Sequence, residues 1–180
     1  MERKIVIQKA SKEDTPAILS LITEVYAGIS DKTWFALDKD EDFIRNLERT
    51  GFGLTAVVDG ELAGIFIARC TELGDGNLGH YLHLQPEELL KVAHMDVAMV
   101  RNKYRGLGIQ RQLMKKAEEI LKDMGYCYLM GTAHPDNTYS VNNFNKLGYK
   151  KVAEALKYGG LPRCIFCKEL LLFTPYAITC

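Results

Sequence analysis

The sequence predicts a single α/β domain: a mixed, mostly antiparallel sheet with one parallel strand pair at its centre and helices flanking it. Three observations predict this. Short β-branched runs alternate with apolar stripes at helical spacing along the whole chain. Asp59-Gly60, set between two such runs, signals a hairpin, because this tight turn needs positive φ at both central residues. In mid-chain a strand, a long amphipathic helix and a second strand follow one another, an order that sets the strands parallel. The 180 residues, 47% of them hydrophobic, suffice for one well-buried core. No repeat, low-complexity tract or linker divides them, so the domain is expected to span 1–180.

Ile5 to Ile7 open a short strand. Ser11 offers an N-cap, Glu13 and Asp14 suit the first helical turn, and Ile18, Leu21, Ile22 and Val25 form one apolar face. A second helix is expected from Glu41 to Arg49, with Phe43, Ile44 and Leu47 on one side and Gly51 and Gly53 ending it. Leu54 to Val58 and Leu62 to Ala68 form the hairpin strands. A glycine-rich loop (Thr71 to Gly79) and a short helix (Pro86 to Leu90) lead to a strand from Val92 to Val100. Leu107 to Met124 is the clearest helix, with Ile109, Leu113, Ala117, Ile120 and Met124 as its stripe and Gly125 as its stop. A strand from Tyr126 to Thr132, a helix from Asn137 to Leu147, and strands Tyr149 to Ala153 and Cys164 to Glu169 complete the pattern.

Composition excludes several partners. Formal net charge is zero, so no excess draws the molecule to nucleic acid or to an anionic membrane. No apolar run is long enough for a membrane span, and Met1 to Lys4 leads straight into a strand without a signal-peptide core. Five scattered cysteines do not form a disulfide framework and point to a reducing, cytoplasmic setting. Cys164 and Cys167 would face opposite sides of a strand, and His80, His83 and His94 have no ligand spacing, so no metal is expected. The tail from Leu170 to Phe173 either pairs across a homodimer or caps its own sheet.

The informative segment is the strand ending at Ala98-Met99-Val100, followed by Arg105-Gly106-Leu107-Gly108-Ile109-Gln110-Arg111 at the head of the long helix. The first N–H groups of a helix lack internal partners and favour anions. Gly106 and Gly108 let a diphosphate approach the backbone, and Arg105 can add a charged hydrogen bond. The plainer reading is a tight strand-to-helix turn.

In this segment the chain resembles the GCN5-related N-acetyltransferases (GNAT). Arg105 to Gln110 matches their Gln/Arg-x-x-Gly-x-Gly/Ala motif except at Gln110, which replaces a small residue. Asn137-x-x-Ser140 and Lys146-Leu147-Gly148-Tyr149 look like the family's second cofactor motif. The resemblance runs roughly from Ile5 to Leu170. It implies acetyl-CoA as acyl donor. The backbone of Ala98, Met99 and Val100 would pair with the pantetheine arm between splayed strands, and the amides from Gly106 to Arg111 would hold the diphosphate. Asn137 and Phe144 would also contact the cofactor.

Attack on a thioester needs a neutral amine, and deprotonating an alkylammonium at neutral pH costs roughly 4 kcal/mol. His94 and Asp96, on the same face of a strand, are the candidates for the base; the resemblance places His94 where some members carry a glutamate or histidine base and Asp96 where some carry a second polar residue. Alternatively, the two satisfy each other as a buried pair. The Met99 N–H is the candidate oxyanion donor. Phe144 stands where the family often has an acidic tyrosine, leaving Tyr139 as a weak substitute, and Thr132 stands where some members have a glutamate. Trp34, Phe35 and the turn from Lys157 to Leu161 are candidate rims of an acceptor pocket. The reading is therefore transfer of acetyl to a small-molecule or peptide amine. Transfer of another acyl group, or cofactor binding without turnover, are the alternatives.

Overall fold

The computed structural model describes residues 4–71 and 73–170. Seven strands form one sheet, ordered β1-β2-β3-β4-β5-β7-β6. β1 (Ile5–Lys9), β2 (Gly51–Val58), β3 (Glu61–Cys70) and β4 (Val92–Val100) pair antiparallel in succession. β5 (Tyr128–Ala133) lies parallel to β4, and β7 (Leu161–Glu169) and β6 (Lys150–Lys157) continue antiparallel beyond it. This is the architecture expected from the sequence, with Asp59 and Gly60 both at positive φ in the β2–β3 turn.

Helices cover both faces. On one, α1 (Thr15–Ala27) and α2 (Asp40–Glu48) bury Ile18, Leu21, Ile22, Val25 and Phe43 against Ile65, Ile67, Val97 and Met99. On the other, α4 (Ile109–Asp123) lays Ile109, Leu113, Ala117 and Leu121 against Phe66, Ala93 and Met95, and α5 (Thr138–Lys146) adds Phe144. Each fully buried Leu or Ile contributes about 1.5–3 kcal/mol, so packing outweighs intrinsic helix preference in placing these helices. A short α3 (Pro86–Leu89) and a 3-10 turn (Leu78–Leu82) cover a smaller cluster built on Leu78, Val92, Met130, Ile165 and Cys167. Cys164 packs in the cluster under α4 and Cys167 in the smaller one, so the two thiols face opposite sides and are free.

Several boundaries differ from expectation for local reasons. Gly51 and Gly53 do not end α2; they belong to β2. A Cβ on Gly51 would lie 1.9 Å from the Ala68 carbonyl oxygen, and one on Gly53 2.4 Å from Leu47 Cδ2, so neighbours pack on bare backbone. Ser11 caps a 3-10 turn rather than α1, its N–H donating to the Asp14 carboxylate at 2.8 Å. α4 starts at Ile109, because Gly106 and Gly108 hold φ of +84° and +71°. Met124 caps the end of α4 and is 53% exposed, outside the stripe. Leu170 donates its N–H to the Cys127 carbonyl at 2.7 Å. The rest of the proposed pairing or capping tail, residues 171–173, lies outside the described residues, as do Met1, Glu72 and Cys180. No described helix is long and apolar enough to cross a membrane.

Candidate active site

The site begins with a break in the sheet. β4 and β5 pair only at Val92–Tyr128, Ala93–Leu129 and His94–Met130. Beyond that, β4 continues against β3 to Val100, and β5 continues against β7 to Ala133, but the two no longer pair with each other. The strands splay, leaving backbone groups that a bound chain can satisfy. At the fork, Val97 pairs with Ile67 and Met95 with Ala68, so Asp96 is the extra residue of a bulge. A cleft of about 540 Å³ opens between the diverging strands.

The ladder decides which amides face the cleft. Arg101 N–H donates to the Ala63 carbonyl at 2.9 Å, and Met99 lies opposite Ile65 in the same register. Hydrogen-bonding direction alternates along a strand, so the Met99 amide points to β3. This corrects the expected oxyanion donor: Ala98 and Val100 direct their backbone groups to the cleft.

One wall is the head of α4. The Gln112 N–H donates to the Gly108 carbonyl at 3.1 Å, so the amides of Ile109, Gln110 and Arg111 precede the first intrahelical bond. Arg105 and Arg111 line the same wall. Leu107 does not; its side chain is 39% exposed on the outer side. Asn137 caps α5, accepting from Ser140 N–H at 3.2 Å, and lines the cleft with Tyr139, which is 76% exposed at the rim. Phe144 forms part of the floor, stacked on Phe166 at 4.7 Å and edge-on to Tyr149 at 5.1 Å. Its ring tip rests on Gly131, where a Cβ would come within 2.6 Å. Gly131→Ala is therefore expected to destabilise the fold by about 1–3 kcal/mol and weaken cofactor binding, measured by denaturant titration and calorimetry.

His94 is placed differently from Asp96. It is 2% exposed and does not line the cleft. Its Nε2 accepts from Leu78 N–H at 3.0 Å, and Nδ1 lies 2.8 Å from Arg69 Nη2. A neutral imidazole has one lone pair, and the Leu78 N–H occupies it at Nε2, so none remains for a substrate proton. Burial first, then Arg69 and Lys157, push its pKa down to about 3. His94 and Asp96 do not pair with each other; Arg69 mediates, with Nη2 at 3.7 Å from Asp96 Oδ1. Asp96 also accepts from Asn46 Nδ2 at 3.4 Å. Neither contact is close, and burial raises its pKa to about 6 against the pull of Arg69, with Asp38 adding to the rise.

Backbone groups left unpaired by the splay, amides ahead of a helix and two arginines thus line one cleft. The sequence profile of the Acetyltransferase (GNAT) family matches residues 16–149. The chain belongs to the GNAT acetyltransferase family. The GNAT fold recurs in solved structures of low sequence identity. The ribosomal-protein-S18-alanine N-acetyltransferase from Escherichia coli superposes with a TM-score of 0.71 at 16% identity, over 96% of this chain and 99% of that one. The putative acetyltransferase yncA from Salmonella typhimurium, solved with its cofactor acetyl-CoA, gives 0.71 at 15% over 98% and 99%. A GCN5-related N-acetyltransferase from Kribbella flavida gives 0.67 at 20% over 92% and 98%. A search of curated proteins returned no match.

Sequence reasoning missed Arg69, Asn46 and Asp38, which surround Asp96 from other elements. Arg69 had a signal: it is a charge in the otherwise apolar run from Ala63 to Cys70. Asp38 and Asn46 had none, because nothing local tells where their segment folds back. Among the described residues no three His, Cys, Asp or Glu side chains gather as a metal site.

Proposed function

We propose that this GNAT domain transfers the acetyl group of acetyl-CoA to a primary amine of a small molecule or peptide, by direct attack in a ternary complex. The observation that carries the reading is the cleft between splayed strands, with phosphate-ready amides at one end and the bulged, part-buried Asp96 in its wall. Acetyl-CoA supplies the activated acetyl thioester. The amides ahead of Gln112, with Arg105 and Arg111, hold the diphosphate; Ala98 and Val100 pair with the pantetheine arm; Asn137 and the Phe144 face complete the cradle. Asp96, ionised at neutral pH, takes the proton of the incoming amine. The amine nitrogen then bonds to the acetyl carbon as the carbon–sulfur bond breaks, and sulfur keeps the electron pair. His94 positions Asp96 through Arg69. Phe144 has no proton to give; a thiolate leaves without one, and Tyr139 on the rim is the phenol available to protonate it. Free thiols at Cys70, Cys127, Cys164 and Cys167 support a reducing compartment such as the cytoplasm.

Gly108→Glu tests the cofactor site. At positive φ the substitution is strained, and the new side chain fills the diphosphate cradle beside Arg111, whose Nη2 lies 3.4 Å from the Cβ position. Acetyl-CoA at 100 times its Kd should stabilise the wild type by about 2.7 kcal/mol and leave the folded variant unshifted in a thermal-shift titration. A wild type that does not shift overturns the reading.

A further inference from the structure

We infer that Arg163 is a positioning residue of the cofactor cleft: it ties the turn that carries Trp34 and Phe35 to the splayed end of the sheet. This rests on the acetyl-transfer reading above and adds to it a residue that does not itself line the cleft.

The link from α1 to α2 folds into a 3-10 turn (Lys32–Trp34) capped by Asp31. The Asp31 carboxylate accepts from the Thr33 N–H at 2.9 Å and from the Thr33 hydroxyl at 2.6 Å. Thr33 and Trp34 are therefore held as one unit. Trp34 and the Phe35 that follows it line the cleft together with Asp96 and Ala98. The turn has two anchors. One is local: Lys32 Nζ donates to the Ala27 carbonyl at 3.1 Å, at the end of α1. The other crosses the fold: Arg163 Nη1, 130 positions away in the chain, donates to the Thr33 carbonyl at 3.0 Å.

Strand register puts Arg163 where such an anchor acts on the cleft. Ala133, the last residue of β5, lies opposite Cys164, so Arg163 is one residue beyond the final β5–β7 pair. Cys164 packs under α4, and alternation turns Arg163 to the face that α1 and α2 cover. There it is 3% exposed, yet no carboxylate among the described residues pairs with it. Its hydrogen bonds go to two neutral carbonyls, Thr33 and, at 2.7 Å, Pro162. A buried cation of this kind gives up its hydration without an opposite charge in return. For packing alone, a methionine of similar length would fill the space with no charge to desolvate. What the guanidinium adds is the bond to Thr33. Tyr158 meets it from the β6–β7 turn, its ring centre 5.5 Å from the guanidinium and its hydroxyl 3.3 Å from Thr132 Oγ1 on β5. Tyr158 sits at φ +52°, a conformation that a bulky residue keeps only where its surroundings enforce it. One guanidinium thus joins the α1–α2 turn, β7 and the β6–β7 turn.

Trp34 is the single tryptophan of the chain, so its fluorescence reports this turn alone. The test compares wild type, Arg163→Met and Arg163→Lys as full chains. It measures acrylamide quenching of Trp34, calorimetric titration with acetyl-CoA, and thermal melting. Without the tether the Thr33 carbonyl turns to water, and acetyl-CoA binding must order the turn itself. In Arg163→Met the quenching should rise, and the Kd for acetyl-CoA should rise about tenfold, the worth of one charged hydrogen bond. The melting temperature should hold, because a desolvated charge is lost along with the bond. Arg163→Lys, long enough to reach the carbonyl, should recover most of both. Arg163→Gln, too short to reach it, should repeat the methionine result and serves where that variant does not fold. Wild-type quenching and Kd in either folded variant overturns the inference. So does one readout moving without the other, or a lysine variant no better than the methionine one. Failure of both the methionine and glutamine variants to fold also overturns it, making Arg163 a residue of the fold alone. A wild type that takes up no acetyl-CoA overturns instead the acetyl-transfer reading on which the inference rests.

Discussion

Asp96→Asn should lower kcat by about 10²–10⁴-fold, the range that loss of a positioned general base produces, with little change in the Kd for acetyl-CoA. The pH profile distinguishes this from a structural defect. A base must be ionised to accept a proton, and Asp96 has its pKa raised to about 6, chiefly by burial. Wild-type kcat should therefore rise tenfold per pH unit below about 6 and level off above. In the variant that limb should vanish, and the residual rate should climb toward the amine pKa near 10. Stability should move the opposite way. A folded pKa of about 6 against an ordinary 3.8 means that ionised Asp96 opposes folding. The native state binds more protons than the unfolded state between those values, so stability falls as pH rises from about 4 to 6. At pH 7 the neutral variant should be more stable, by up to about 3 kcal/mol. An unchanged acid limb would remove Asp96 from the role of base.

Phe144→Ala should destabilise the fold by about 3–5 kcal/mol, the range for deleting a fully packed aromatic. The ring is 4% exposed, stacks on Phe166, meets the edge of Tyr149 and covers Gly131. Because it joins α5 to β5 and β7, its loss also removes the support for the splay. The melting temperature should fall by roughly 10 °C, and affinity for acetyl-CoA should fall with it even where the variant stays folded. Phe144→Leu, which keeps much of the volume, should lose less of both. Calorimetry of the two variants with and without acetyl-CoA is the measurement; an affinity unchanged in the alanine variant would show that the cleft does not depend on this floor.

The contrast between these two residues shows what could be read in advance. Asp59-Gly60, the apolar face of α1 and the stripe of α4 are local patterns, since side-chain spacing along one element reports the face it buries. Gly106 and Gly108 are local too: they bound the helix start and mark where an anion can reach the backbone. Met99 shows where this kind of reading stops. Its place beside the cleft was legible, but the direction of its amide is set by the partner strand, and the ladder to β3 through Ala63 and Arg101 turns it away.

His94 and Asp96 carry the same lesson to the chemistry. Two apart on a strand, they share a face, and the sequence allowed either as base. The residues that separate them come from elsewhere: Leu78 in the 3-10 turn and Arg69 on β3 occupy the imidazole, while Asn46 on α2 and Asp38 before it reach Asp96. Thus the sequence by itself determined the α/β class, the order of the elements, the GNAT resemblance and the glycine-framed helix that can take a diphosphate, because each depends on contacts between near neighbours in the chain. Only the tertiary structure decided that Asp96 rather than His94 lines the cleft, which amides point into it and which charged groups lie around Asp96. Those depend on strand register and on burial by distant segments, which no local spacing records.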